Sequence, residues 1–259
     1  MSCVVAVRGV TQLHDVVYIV CHCSPTIVRF NDTTHERLTD IYVKDLSFPG
    51  DIVACEQTSQ LYFTESGKYV WRVSADGTDI QRWWSKSSTD TISPYRLSVT
   101  STRLLVTPLN TSQLMQLDSL GDELRRVQLP DNMVPRHAVE SPTTTFIVSH
   151  KNTQLKQYRI SEVNTGGQVL RQFTGSHLSS LGLTPHIAID SHGNVFVADF
   201  DNRSILLLDT QLRLRREIID KHQLNDQWPD RLCYREQTGQ LLVGLSDKEK
   251  VAVFDVLCR

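Results

Sequence analysis

Five prolines, Pro49, Pro94, Pro135, Pro185 and Pro229, are each followed within two residues by side chains able to do chemistry. The pairs read Gly50-Asp51, Tyr95-Arg96, Arg136-His137, His186-Ile187 and Asp230-Arg231. Imidazoles and carboxylates are metal-ligand types, so His137 and His186 with Asp51 and Asp230 would suit zinc or calcium if the fold gathers them. No third histidine recurs at this level, and no metal, cofactor or catalytic site is expected. Arginine and tyrosine are instead the types enriched at binding hot spots. That assigns Tyr95, Arg96, Arg136, His137, His186 and Arg231 to a partner-binding face for an acidic peptide or a phosphate backbone. If its arginines serve only binding, reversing Arg96, Arg136 and Arg231 to glutamate leaves the melting temperature unchanged. A second set, Asp199, Asp201 and Asn202, offers hard oxygen ligands, but capping of nearby backbone N–H groups explains the same residues.

Other chemistry is excluded by pattern. No glycine-rich phosphate loop, nucleophile elbow or zincin helix is present. The six cysteines are Cys3, Cys21, Cys23, Cys55, Cys233 and Cys258. Only Cys21 and Cys23 lie close together, at neither zinc-knuckle nor thioredoxin spacing, so free, mostly buried thiols in a reducing compartment are expected. Lys and Arg total 27 against 29 Asp and Glu, a net charge of -2. The chain is therefore no basic body built to hold nucleic acid, though a local patch stays open. No run approaches the roughly 20 apolar residues that span a bilayer, and the first residues are too short a stretch for a secretory signal. A cytoplasmic, non-membrane protein is the expectation.

The elements that must position these residues repeat. The five prolines are spaced by 45, 41, 50 and 44 residues. Beyond each comes an apolar run, at 61–63, 104–106, 146–148, 195–197 and 241–243, of the kind that forms strands buried on both faces. A third strand and a more polar fourth follow most runs. The N-terminal stretch fits the scheme without a proline, with 36–43 as its fourth strand. Six units of roughly 45 residues match the length of a propeller blade. The reading is one all-β domain over 1–259, a six-bladed β-propeller with four-stranded blades. The last unit ends after its third strand, so residues 3–7 are expected to complete it and close the ring. Helices at 114–127 and 211–224 are the rejected rivals. Trp83 and Trp84, in the fourth strand of the second blade, are expected on opposite faces.

One blade carries a resemblance. Ile187-Ala188-Ile189-Asp190-Ser191-His192-Gly193-Asn194-Val195-Phe196-Val197-Ala198-Asp199, continuing through Asp201-Asn202-Arg203 to Asp209, resembles an NHL repeat. NHL repeats build the six-bladed propellers that end many tripartite-motif (TRIM-NHL) proteins. The resemblance implies a non-catalytic recognition module that binds a protein partner, as the substrate receptor of a ubiquitin ligase system. No RING or B-box pattern is present, so ligase chemistry would lie outside these residues. It leaves two alternatives: an RNA-binding propeller, and a metal-dependent hydrolase or lyase like the six-bladed lactonases and amidating lyases. Arg203 is expected to pin its loop by pairing with Asp199 or Asp201. The partner and the oligomeric state stay open.

Overall fold

The computed structural model describes residues 6–65, 67–85, 92–100, 103–173, 185–246 and 250–256. All regular structure among them is β, in six antiparallel sheets that form the blades of a six-bladed propeller. Blade 1 is β1 (Val7–Leu13), β2 (Val16–Cys21), β3 (Thr26–Asn31) and β4 (Ile41–Tyr42). Blade 2 is β5 (Pro49–Cys55), β6 (Gln60–Glu65), β7 (Tyr69–Ser74) and β8 (Ile80–Ser85). Blade 3 is β9 (Pro94–Thr100), β10 (Arg103–Pro108), β11 (Gln113–Leu117) and β12 (Glu123–Gln128). Blade 4 is β13 (Met133–Glu140), β14 (Phe146–Asn152), β15 (Gln157–Val163) and β16 (Val169–Phe173). Blade 5 is β17 (Ile187–Ile189), β18 (Val195–Asp199), β19 (Ser204–Leu208) and β20 (Leu214–Ile219). Blade 6 has β21 (Pro229–Arg235), β22 (Gln240–Leu245) and β23 (Val251–Asp255). The rejected helical segments are strands, and no helix among the described residues is long and apolar enough to cross a membrane.

Burial explains the order of each blade. Second strands such as β14 and β18 are apolar on both faces and sit mid-blade, while the fourth strands β12 and β20 are mostly exposed and polar. Apolar residues pack between neighbouring blades in separate seams. Fourth strands, or the residues just after them, feed these seams: Ile41 and Val43 the first, Val127 and Leu129 the third, Phe173 the fourth, Ile219 the fifth.

Three local expectations change. The fourth strand of blade 1 is two residues long rather than 36–43, with one further bridge between Phe30 and Arg37. Trp83 and Trp84 do not take opposite faces. Val70 pairs with Trp84 and Trp71 with Arg82, so Trp83 is the extra residue of a β-bulge, and a bulge breaks the alternation of side chains. Both rings pack against the seam of blades 2 and 3, and Trp83 meets Tyr62 edge-on at 4.9 Å. Val7 belongs to β1, paired with Cys21, and the rest of the expected closing strand, residues 3–5, lies outside the described residues. Closure among the described residues rests on Arg231 donating to the Arg8 carbonyl, on the Arg235–Asp32 ion pair and on Val7 packed over Gly244.

The turn in blade 5 forms as its residue types require. Gly193 takes φ +86°, a conformation that costs glycine little. The Asp190 carboxylate accepts from the N–H groups of His192 and Asn194 and from the Asn194 amide. Asp199 is likewise buried and receives the Asn202 amide at 2.8 Å, and Arg203 forms an ion pair with Asp226 at 3.2 Å. Of the described thiols, Cys21 and Cys55 are buried, Cys233 is half-buried and Cys23 is exposed.

Candidate functional site

The prolines do gather at one mouth of the central channel, and a β-bulge decides what each following residue does there. In β1, β5, β9, β13 and β21 the register slips by one at the strand start. The extra residues are Arg8, Gly50, Tyr95, Arg136 and Asp230, all half-buried on the face of the ring. The next residues, Gly9, Asp51, Arg96, His137 and Arg231, turn inward and are buried. His186 holds the same place in blade 5, although it follows its proline directly: its neighbour Pro185 accepts from the Ser149 hydroxyl as Tyr95 does from Thr64.

Six equivalent positions thus form a ring whose side chains bond mainly to the backbone, with His186 Nε2 and one Arg231 Nη buried without a hydrogen-bond partner among the described residues. Asp51 accepts from the N–H of Leu97 in the next blade at 3.0 Å. His137 and His186 do the same for Ile187 and Leu232, each through Nδ1 at 3.2 Å. Arg96 donates to the Gly50 carbonyl at 2.5 Å and lies 4.2 Å from the centre of the Tyr95 ring. Arg231 donates to the Arg8 carbonyl and binds Asp230 at 2.5 Å. At the sixth position a Cβ on Gly9 would stand 2.5 Å from the Ile52 nitrogen, so only glycine fits there. The ring ties all six blades together where a propeller is thinnest.

Burial sets the charge states. Desolvation lowers the His137 pKa to about 3 and that of His186 well below 6.5, with Arg96 and Arg231 adding repulsion. Both imidazoles are neutral at pH 7, and their rings stack 3.9 Å apart. Desolvation also raises the Asp51 pKa, while Arg96 and Arg231 oppose the rise.

Asp51, His137 and His186 bring candidate ligand atoms within 4.8 Å of one another. Their hydrogen bonds oppose a metal. Each Nδ1 accepts a backbone N–H, so the proton of each neutral ring sits on Nε2, and His137 donates it to the Leu97 carbonyl. A metal needs a bare nitrogen, and neither ring offers one without breaking an inter-blade bond. Asp230 stands apart from the trio, at the bulge.

Behind the ring the channel holds a cavity of about 450 Å³ that runs past aliphatic walls to Glu56, Gln57 and Glu140. On the ring's outer side the face carries two depressions of about 370 Å³ each. One is lined by Arg8, His22, Phe48 and Tyr95, among others. The second is lined by Asn110, Val134, Arg136, Lys151, Thr153 and Lys156. Leu109 lines the first and its sequence neighbour Asn110 the second. Among the described residues no carboxylate lines either one.

Of the six expected binding residues, Tyr95 and Arg136 stand half-buried at this surface, and the buried Arg96 also lines the first depression. Arg96, His137, His186 and Arg231 are 3%, 3%, 6% and 1% exposed, held inside the ring. The sequence reading missed Arg8, Phe48, Lys151 and Lys156. Lys151 and Lys156 flank a loop between second and third strands, which in a propeller opens on the same face as the starts of the first strands.

No family model matches the chain, and no curated protein matches it. Solved structures do. Virginiamycin B lyase from Staphylococcus aureus, solved with quinupristin as a catalytically inactive form, is 15% identical with a TM-score of 0.68 over 97% of this chain and 80% of its own. A chain of a nidogen/laminin complex is 17% identical with a TM-score of 0.66, covering 84% and 81%. Hydrazine synthase from Kuenenia stuttgartiensis is 12% identical with a TM-score of 0.68, covering 98% and 84%. At these identities the likeness is one of fold.

Proposed function

We propose that this propeller is a non-catalytic recognition module whose basic crescent, from Arg8 through Tyr95 to Arg136, Lys151 and Lys156, captures an acidic segment of a protein partner. One observation carries the reading: a chain of net charge -2 sets Arg8, Arg136, Lys151 and Lys156 with Phe48 and Tyr95 around depressions that no carboxylate among the described residues lines. Arg136 adds to it, because its Nε is buried with no hydrogen-bond partner among the described residues. A carboxylate entering this hollow would pair with that guanidinium. A non-catalytic role is supported by the ring, where Asp51, His137 and His186 each accept a backbone N–H of the next blade. The nidogen/laminin neighbour is a propeller in a protein complex, which accords with protein capture. The resemblance at 187–209 supplies a narrower form of the same proposal, the substrate receptor of a TRIM-type ubiquitin ligase.

Fluorescence anisotropy with a labelled octaglutamate peptide tests it. The triple variant Arg136→Glu, Lys151→Glu, Lys156→Glu is expected to bind at least about tenfold more weakly, the equivalent of about 1.4 kcal/mol. These side chains are half-buried or exposed, so its melting temperature stays near that of the parent. Unchanged affinity would refute the site. Preference for a labelled single-stranded RNA over the peptide, with a steep fall in salt, would replace the protein partner by RNA.

A further inference from the structure

Three polar atoms buried on the channel wall have no hydrogen-bond partner among the described residues: His186 Nε2, one Nη of Arg231 and the Ser98 hydroxyl. Their residues are 6%, 1% and 8% exposed, and all three line the cavity of about 450 Å³ behind the ring. Each of these atoms can donate. The Leu232 N–H occupies His186 Nδ1, which leaves the ring proton on Nε2, and a guanidinium nitrogen only donates. Ser98 stands two residues beyond Arg96 on β9, and alternate residues of a strand share a face, so its hydroxyl belongs to the next layer down the channel. A buried donor without an acceptor costs free energy. Three of them around one cavity suit an acceptor that enters it.

The other walls define the rest of that molecule. Arg96 and Arg231 both act on the ring end of the channel. The carboxylate there, Asp51, accepts from the N–H groups of Ile52 and Leu97, and burial raises its pKa, which lessens its repulsion of an anion. Asp230 is paired with Arg231 at the rim. Beyond the ring, Val53, Val99, Val139 and Ile189 offer aliphatic surface. Glu56, Gln57 and Glu140 line the far end, a setting that repels a second carboxylate and attracts an ammonium. Along β13, Glu140 stands three residues beyond His137, roughly 10 Å at the rise of a strand.

We infer that the channel is a binding site for a linear molecule with a carboxylate at one end and an ammonium at the other. Its carboxylate takes the donors of His186, Arg231 and Ser98, its aliphatic body lies along the valines, and its ammonium points toward Glu56 and Glu140. The ring keeps its structural role, because this ligand uses only donors that the bonds between blades leave over. The site is separate from the basic crescent, and each can fail without the other.

The probe is ω-aminooctanoate, whose span from carboxylate to ammonium is of this order. Calorimetric titration into the intact chain is expected to show saturable one-to-one binding. Suberate, which puts a second carboxylate in place of the ammonium, is expected to bind at least about tenfold more weakly. Ser98→Ala removes one donor and little volume, and is expected to weaken binding of the probe at least about threefold. Val53→Phe narrows the channel from a half-buried wall position and is expected to abolish it. If Val53→Phe does not fold, Ser98→Ala and suberate still decide the matter. No saturation by the probe up to about 10 mM would overturn the proposal and leave the three donors to buried water. Binding indifferent to both Ser98→Ala and the exchange for suberate would also overturn it. So would displacement of the probe by octaglutamate, which would put the probe on the crescent.

Discussion

Acid is expected to unfold this propeller from about pH 6.5 downward, well before its carboxylates titrate. His137 has a folded pKa near 3 and His150 near 4, and that of His186 is also far below 6.5. In the unfolded chain all three regain ordinary values near 6.5. Between the two pKa values the unfolded state binds more protons than the folded one, so stability rises with pH across this window and is lost as pH falls through it. Each such histidine contributes about 1.4 kcal/mol per pH unit, which for His137 alone is about 3 kcal/mol at pH 4.5. Asp51 acts the other way, because burial raises its pKa and the folded state takes up that proton readily. Three histidines outweigh one aspartate, and the net slope is destabilising. Urea denaturation at pH 7, 6 and 5 checks this. His137→Gln, which keeps an amide where Nε2 donates, should show a slope shallower by about 1.4 kcal/mol per unit. Equal stability at pH 7 and pH 5 would contradict the assignment of neutral, desolvated rings.

Arg231 is expected to be the most costly single residue to lose. It is 1% exposed, and its guanidinium spans from Asp230 to the Arg8 carbonyl, joining the last blade to the first. Replacing it by methionine keeps much of the volume but strands the Arg8 carbonyl inside the ring and the half-buried Asp230 carboxylate at its rim. Removing one partner of a buried charge pair costs about 3–5 kcal/mol. At about 2–4 °C per kcal/mol for a chain approaching this size, the melting temperature should fall by about 10 °C. Circular dichroism melts of Arg231→Met measure it, and a fall under about 2 °C would mean that closure rests elsewhere. The result bears on Arg96 as well, since it donates to Gly50 from the same ring position. Charge reversal at Arg96 and Arg231 is thus a test of folding, and only Arg136 of the three arginines reports on binding.

The blades were legible because their signals are local. Prolines start first strands, and continuous apolar runs such as Phe146-Ile147-Val148 mark strands buried on both faces. The bulges were not, since no residue type announces an extra residue in a strand. Their consequence was nonetheless written in the pattern: after Pro49, Pro94, Pro135 and Pro229 the second residue is always polar and ionisable, namely Asp51, Arg96, His137 and Arg231. Pooling first and second positions merged a buried ring with an exposed rim. Trp83 failed for the same reason, with one bulge undoing a face assignment made from alternation. Lys151 and Lys156 went unseen because their loop brings them beside Arg136 only in three dimensions. The last unit was read correctly as ending after its third strand, and residues 3–5, expected to complete it, lie outside the described residues.

The central claim is that recognition happens on the basic crescent and that the ring of Asp51, His137 and His186 is structural. Amide chemical-shift mapping of the isotope-labelled chain during titration with octaglutamate tests both halves at once. The account predicts shifts at Arg8, Tyr95, Arg136, Lys151 and Lys156, with the amides of the opposite mouth, Glu56, Gln57 and Glu140, unmoved. Shifts centred on the channel wall at Ile52, Val99 and Val139, with the crescent silent, would contradict it and return the channel to consideration as the site.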